Sequence, residues 1–303
     1  MGKGKRWISM LLAASVVMSS TIPVAAAPSE VIGDASDLER STAEDSRTVD
    51  FNKDWKFKLG DQSGAGEKQY DDSGWDSVTL PHDFSIIQEF SNSYEAESGF
   101  LPGGIGWYRK SVTFPEYYAG KNVVLNFDGI YNCADIYVNG TKVGENCYGY
   151  TSFAFDITDL INCDGVTENV ISVKAENQFP SSRWYSGSGI YRDVTLEVTG
   201  KVHVALDGTY VTTPELESQK DGDVTVNVET IVENDSRDLV NAEVCTTIIN
   251  KENAAVSSEK KEEVSLAAGA ETKVRQNASV NRPALWDCDN PTLYTVKTEI
   301  KVN

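Results

Sequence analysis

The chain has 303 residues, of which 46 are Asp or Glu, 27 are Lys or Arg and two are His, so its formal net charge is −19. Nucleic-acid binding needs a basic surface that displaces counterions from phosphates, and this acidic balance excludes that class of partner. The length suffices for two domains with a core each, and 40% apolar with 24% charged residues is ordinary globular composition that excludes wholesale disorder.

The first 26 residues have the form of a secretory signal peptide. A cationic start precedes a mostly apolar stretch over residues 7–18, and the small residues around Ala26 suit cleavage by a signal peptidase. The alternative, a membrane-spanning helix, needs about 20 apolar residues, which this stretch lacks. We therefore expect a secreted or extracytoplasmic protein with no membrane span, and a flexible leader at residues 27–47.

After the leader, apolar and polar residues alternate with a period of two. Clear examples lie at residues 153–157, 170–175, 194–198 and 224–228. This alternation turns one face of a β-strand toward a core, and the segments recur about every ten residues between Gly, Asn, Asp and Pro. The pattern predicts an all-β protein built of β-sandwiches, with a single helical turn near residues 158–161.

The composition changes near residues 200–206. The part before this boundary is rich in Trp, Tyr and Gly, whereas the part after it has one Trp and long strands of Val, Thr and Glu. The second part has the size of an immunoglobulin-like sandwich, which is about 100 residues. We therefore expect two domains, at residues 48–200 and 202–303.

The five cysteines are Cys133, Cys147, Cys163, Cys245 and Cys288. They are too few for a disulfide framework, and with two histidines a structural zinc site has little to be built from. No cofactor is expected. Cys133 and Cys147 flank a hairpin turn predicted at Asn139-Gly140. A two-residue loop leaves them one residue out of register, and a bulge brings them opposite. A disulfide therefore stays open, although buried free thiols are favoured.

The two histidines are the candidate bases for a nucleophilic triad. His203 lies in an alternating segment and is interpreted as an outward-facing polar residue. His82 and Asp83 follow Pro81 on a loop, where they either bind a ligand or cap local backbone groups. No GxSxG motif accompanies them, so serine hydrolase chemistry is not expected.

The segment RWYSGSGIYRD at residues 183–193 has the composition of a sugar-recognition surface. The face of Trp184 can stack on the C–H face of a sugar, and Arg183 can donate paired hydrogen bonds to neighbouring hydroxyls. The alternative is that this loop is a well-packed corner between domains. A pair of catalytic carboxylates for glycoside hydrolysis cannot be selected from the acidic residues by composition.

Several short motifs follow one another along the chain. They are NKDWKF at 52–57, YDDSGW at 70–75, LPHD at 80–83, GGIGWYRK at 103–110, FDG at 127–129, ADIYVNG at 134–140, FAFDIT at 153–158 and RWYSGSG at 183–189. In this order they resemble the N-terminal sugar-binding domain of glycoside hydrolase family 2, the family of β-galactosidases, β-glucuronidases and β-mannosidases.

The resemblance implies a galactose-binding-like jelly-roll β-sandwich at residues 48–200, followed by an immunoglobulin-like β-sandwich at 202–303. DNPTLY at 289–294 is similar to the last strand of the family's second domain. In the family a (β/α)8 barrel follows and carries the acid/base and nucleophilic glutamates, and neither position occurs in this sequence. We therefore assign no catalytic residue and expect a C-terminal barrel as the missing partner.

The His82-Asp83 pair and the RWYSGSG loop are most similar to secreted β-galactosidases, in which first-domain loops help form the subsite for the non-reducing sugar. By that resemblance Asp83, Arg183 and Trp184 are expected to bind a β-galactoside, with Asp83 and Arg183 contacting galactose hydroxyls or each other. Some family members hold a sodium ion through an acidic residue where Arg183 stands, so no metal is assigned here.

Two hypotheses about function follow. The first is the non-catalytic N-terminal portion of a secreted retaining β-galactosidase that acts in carbohydrate degradation. The alternative is a free-standing carbohydrate-binding or scaffold module without hydrolase activity. Such a module is expected to carry its aromatic residues on an exposed sandwich face rather than in a corner loop.

Overall fold

The computed structural model describes residues 47–178 and 183–302. The predicted signal peptide at 1–26 and the leader at 27–47, apart from Arg47, lie outside the described residues. No helix among the described residues combines the length and apolar character needed to cross a bilayer. Regular structure is almost entirely antiparallel β-strand, as the alternating sequence pattern predicts.

Ten strands of the first sandwich lie among the described residues. These are β1 (Thr48–Asp50), β2 (Trp55–Leu59), β3 (Asp76–Val78), β4 (Gly104–Thr113), β5 (Asn122–Phe127), β6 (Cys133–Val138), β7 (Thr141–Asn146), β8 (Phe153–Asp156), β9 (Glu168–Asn177) and β10 (Val194–Thr199). They form a six-stranded sheet in the order β3-β2-β4-β9-β6-β7 and a four-stranded sheet in the order β1-β10-β5-β8. Trp55, Phe127, Ile171 and Leu196 come from both sheets and are fully buried in one shared core.

In the part of the chain that the structure describes, the second sandwich has six strands. These are β11 (Val202–Thr212), β12 (Asp223–Asn234), β13 (Val240–Ile249), β14 (Lys260–Leu266), β15 (Glu271–Asn281) and β16 (Thr295–Val302). They form two three-stranded sheets, β11-β12-β15 and β14-β13-β16. Every second residue of β12 from Val224 onward is buried, because the strand turns one face to the core. This architecture confirms the predicted all-β fold, a jelly-roll sandwich followed by an immunoglobulin-like sandwich.

Helical structure among the described residues is short. The turn predicted near 158–161 is a 3-10 turn at Thr158–Leu160, where the Thr158 hydroxyl accepts the Val123 N–H at 2.9 Å. A second 3-10 turn at Glu116–Tyr118 and helix α1 (Leu216–Gln219) have no counterpart in the sequence-based expectations. Neither is long enough to show the helical periodicity by which a sequence reveals a helix.

The hairpin of β6 and β7 corrects the preference for free thiols. Asn139 and Gly140 both have positive φ, at 49° and 88°, as a two-residue hairpin turn requires. The strand register shifts at a bulge between Ile136 and Tyr137. On the side of this bulge away from the turn, the shifted register places the two cysteines opposite each other. Cys133 and Cys147 form a disulfide, whereas Cys163, Cys245 and Cys288 are free.

Polar contacts join the two sandwiches around Asn122. Its amide donates to the Asp235 carboxylate at 2.5 Å and accepts from Lys201, and Arg47 donates to the Val204 carbonyl at 2.7 Å. His203 lies in this region with Nε2 3.2 Å from the Glu233 carboxylate. The prediction of an ordinary outward polar residue understates its burial, because the His203 side chain is only 12% exposed.

Candidate functional site

Two loops that are distant in the sequence lie side by side at one end of the first sandwich. One loop follows β3 and contains the LPHD motif, and the other precedes β10 and contains the RWYSGSG motif. The His82 N–H donates to the Ile190 carbonyl at 2.7 Å, and the Phe84 N–H donates to the Ser188 carbonyl at 2.9 Å. These backbone bonds explain why the two motifs form one site.

The Asp83 carboxylate joins the two loops. Its Oδ1 accepts the N–H groups of Ser85 and Ser188, both at 2.9 Å, and its Oδ2 accepts the Tyr185 hydroxyl. The bond to Ser85 is the local cap considered as one alternative, while the bonds to Ser188 and Tyr185 cross to the other loop. Burial and the bond to Asp83 raise the pKa of Tyr185, which keeps its hydroxyl protonated as a donor.

Arg183 and Trp184 lie at the exposed edge of the second loop. The Trp184 indole N–H donates to the Tyr150 hydroxyl at 3.1 Å. Trp184 is nevertheless 58% exposed. Within residues 47–178 and 183–302, no ion pair joins Asp83 to Arg183, and the Asp83 carboxylate is paired with Tyr185 instead. The structure therefore brings Asp83 and Trp184 onto the same pair of loops without a direct Asp83–Arg183 contact.

Beneath the two loops, the half-buried His82 contacts the buried Tyr108. The Tyr108 hydroxyl lies 2.9 Å from His82 Nδ1, and Tyr108 is fully buried. Burial lowers the pKa of His82, and the charge of Asp83 offsets this only in part, so the ring favours its neutral form. A neutral ring can accept the tyrosine hydroxyl at Nδ1. Because this ring nitrogen is paired with a tyrosine and not with Ser or Cys, the contact gives no support to a nucleophilic triad.

Gly189 is needed for the close approach of the second loop to Tyr108. Its φ is +107°, a conformation that L side chains rarely adopt. A Cβ at this position would overlap the Tyr108 hydroxyl and lie 3.1 Å from the His82 carbonyl oxygen. The glycine therefore lets the RWYSGSG loop pack directly on the buried tyrosine.

An open cleft of about 320 Å³ lies between the two loops, and we call it the loop cleft. Its lining includes His82, Asp83, Tyr185, Ser186 and Tyr191, so it combines ring surfaces with hydroxyl, imidazole and carboxylate groups. Neither Lys nor Arg is among the described residues that line it. Such a cleft can hydrogen-bond a neutral, hydroxyl-rich ligand while packing an apolar face against tyrosine rings.

Sequence reasoning did not assign several residues that build this site. Tyr185 and Tyr191 lie within the RWYSGSGIYRD segment, where their residue type was a usable signal. Tyr150 follows the β6–β7 hairpin and has no local motif that connects it to Trp184. Its role depends on tertiary contacts that the chain order does not reveal.

Potential metal ligands group elsewhere. Among the described residues, His203, Glu233 and Asp235 place one ligand atom each within 4.8 Å of one another. Glu233 lies beside the His203 ring, and Asp235 already accepts the Asn122 amide. This group belongs to the junction between the sandwiches and shares no residue with the loop cleft.

Two family models match the chain. The model described as Glycosyl hydrolases family 2, sugar binding domain, matches residues 44–200. The model described as Glycosyl hydrolases family 2 matches residues 202–303. Together they include both loops of the site and the whole of the second sandwich.

Similar proteins are glycoside-hydrolysing enzymes of greater length. The beta-galactosidase BoGH2A of Bacteroides ovatus is 39% identical over 257 residues, which cover 84% of this chain and 30% of that protein. A putative beta-glucuronidase of Formosa agariphila is 33% identical over 83% of this chain and 23% of its own length. A solved glycosyl hydrolase family 2 member from Bacteroides cellulosilyticus has a TM-score of 0.78 and 36% identity, covering 85% of this chain and 34% of that one. The chain thus spans about a third or less of these proteins.

Proposed function

The chain belongs to glycosyl hydrolase family 2, and from this premise we propose that it is the non-catalytic N-terminal portion of a secreted retaining β-galactosidase acting in carbohydrate degradation. One observation carries the proposal. The similarity to a beta-galactosidase extends through both sandwiches, over 84% of this chain, yet it accounts for only 30% of that enzyme. The remaining part of the longer protein would contain the partner, a C-terminal (β/α)8 barrel with both catalytic glutamates.

The proposed role of the loop cleft is to contact the sugar. Trp184 offers an exposed indole face for stacking, and Arg183 is exposed beside it for hydrogen bonds to hydroxyls. Asp83 acts mainly by holding Tyr185 and Ser188 in place, because its oxygens already accept three hydrogen bonds. The sugar-binding residues expected from the resemblance thus take two different roles.

A neutral sugar suits the loop cleft better than a uronic acid. The described lining residues include the Asp83 carboxylate and a histidine whose neutral form burial favours, and Arg183, at the exposed edge of the second loop, is not among them. A second carboxylate in this cleft would meet like charge. This supports a galactoside as the substrate, although relatives of both kinds, beta-galactosidases and beta-glucuronidases, are similar to the chain.

The exposed aromatics also favour the enzyme portion over a free-standing binding module. Trp184, Tyr150 and Tyr185 lie on loops at the end of the first sandwich, not on a flat sheet face. A corner position of this kind suits a site completed by a neighbouring domain.

Activity measurements test the proposal directly. The chain alone should not hydrolyse a chromogenic β-galactoside, whereas the chain expressed with the coding sequence that follows it should do so with retention at the anomeric carbon, read by NMR. The matched substrate is the corresponding β-glucuronide, which the longer protein should cleave poorly. Hydrolysis by the chain alone, or a preference of the longer protein for the glucuronide, would contradict the proposal.

A further inference from the structure

Three exposed aromatic side chains lie together beside the loop cleft. Tyr148 and Trp184 are each 58% exposed and Tyr150 is 41% exposed. The Trp184 indole N–H donates to the Tyr150 hydroxyl at 3.1 Å, and the rings of Tyr148 and Tyr150 are 6.1 Å apart. These contacts make them one continuous surface, which we call the aromatic ridge.

The segment that carries Tyr148 and Tyr150 is held in place from several directions. The Cys133–Cys147 disulfide closes its base, and the Asn146 amide donates to the Tyr148 carbonyl at 2.9 Å. The Tyr191 hydroxyl donates to the Gly149 carbonyl at 2.6 Å. Rings that stay exposed although their backbone is fixed form a preorganised surface, which lowers the entropy lost on binding.

Packing beneath the ridge adds to this fixation. The ring of Tyr150 lies edge-on to the buried ring of Tyr131, with centroids 5.3 Å apart. Gly149 allows the approach, since a Cβ there would overlap the Tyr131 ring. The exposed faces of the ridge are therefore supported by the core of the first sandwich.

A second polar cleft lies next to the segment that carries Tyr148. It has a volume of about 320 Å³, and its charged or amide side chains are Asp135, Lys174, Glu176, Gln178 and Asn132. Cys147 lines this second cleft and directly precedes Tyr148, whereas Tyr185 lines the loop cleft and directly follows Trp184. Each end of the ridge thus adjoins a residue that lines a cleft, and both clefts offer hydrogen-bond donors and acceptors.

We propose that the aromatic ridge and the second cleft bind further sugar units of a glycan whose first unit occupies the loop cleft. The ligand class is accordingly a glycan chain of two or more sugars, not a free monosaccharide. A chain of sugar rings presents flat C–H faces bordered by hydroxyls, which match flat rings next to polar clefts. The position of the first sugar rests on the proposed function, whereas the preference for longer chains rests on the ridge itself.

Calorimetric titration of the chain with methyl β-galactoside and with β-1,4-galactotetraose tests the proposal. We expect the tetraose to bind at least about tenfold more tightly. Tyr148→Ala should reduce this ratio by about three- to tenfold, because one aromatic contact is lost, and should leave the affinity for methyl β-galactoside unchanged. Tyr148→Phe keeps the ring and should keep the ratio.

Tyr210→Ala provides a matched control, because Tyr210 is a tyrosine 67% exposed on β11 of the second sandwich. It should change neither affinity. Equal affinity for the two ligands, no binding of the tetraose, or a ratio unaffected by Tyr148→Ala would overturn the proposal. The proposal would also be overturned if the tetraose bound more tightly than methyl β-galactoside to the chain but not to the longer protein, because polypeptide would then cover the ridge. The binding measurements test the ridge alone. The proposed function is tested separately, by hydrolysis with the longer protein.

Discussion

Removal of the Asp83 carboxylate should separate the two loops that form the site. Asp83→Ala deletes the acceptor for the N–H groups of Ser85 and Ser188 and for the Tyr185 hydroxyl. Ser188 is fully buried, so its N–H would lose its partner away from water. Hydrogen bonds to a charged group contribute about 1.5–3 kcal/mol each when buried, and Asp83 is only half-buried. After allowance for solvent screening, we expect the free energy of unfolding to fall by about 2–3 kcal/mol.

Urea unfolding followed by tryptophan fluorescence measures this loss. Four of the five tryptophans among the described residues, Trp55, Trp75, Trp107 and Trp184, lie in the first sandwich, so the signal reports mainly on that domain. Asp83→Asn keeps an amide oxygen that can accept the two backbone N–H groups, and it should cost less than half as much. A loss below about 0.5 kcal/mol for Asp83→Ala would show that the carboxylate does not hold the two loops together, because that is the range of substitutions at ordinary surface positions.

Three further outcomes are expected. Because burial lowers the pKa of His82, the unfolded chain binds its proton first on acidification, so stability is full above about pH 6.5 and falls below it. In His82→Gln the urea midpoint should change less between about pH 6.5 and 5 than it does in the unsubstituted chain. An equal dependence of the midpoint on pH in both proteins would count against this. Gly189→Ala should cost more than about 2 kcal/mol, whereas Gly269→Ala, at φ +68° in open space, should cost about 1 kcal/mol or less. Thiol titration of the denatured chain should find three free cysteines before reduction and five after it, and five before reduction would exclude the Cys133–Cys147 bond.

The strand pattern was predictable where only one face of a strand is buried. Alternation in segments such as 194–198 and 224–228 matches the burial of β10 and β12. The Asn139-Gly140 turn was predictable too, since both residues tolerate the positive φ of a two-residue hairpin. The bulge beyond it was not, because it accompanies the packing of Gly144 against the Phe155 ring, a contact made by a later strand.

Arg109 shows where reasoning from periodicity fails. Trp107, Tyr108, Arg109 and Lys110 are consecutive in β4 and all buried, although neighbouring residues of a strand face opposite sides. The outer face is covered by the segment before β3, whose Asp72 carboxylate lies 2.8 Å from Arg109 Nε and whose Ala65 and Glu67 carbonyls also accept from the guanidinium. Such a cover is a tertiary contact, so the sequence alone shows only a cation in an apolar strand.

The site was partly predictable for the same reason. Residue types in LPHD and RWYSGSG indicated recognition loops, but the pairing of Asp83 with Tyr185 in place of Arg183 depends on how the loops meet. Tyr148 and Tyr150 carry no local signal, since only the disulfide and the bond from Trp184 place them beside the site.

Sequencing the DNA that follows the codon for Asn303 tests most directly whether the chain is the N-terminal portion of a longer glycosidase. We expect an open reading frame that encodes further sequence of roughly twice this length, including a (β/α)8 barrel with two catalytic glutamates, as the 30% coverage of a similar beta-galactosidase suggests. A natural stop codon directly after Asn303, with no barrel encoded downstream in frame, would contradict it and leave a free-standing carbohydrate-binding module as the function.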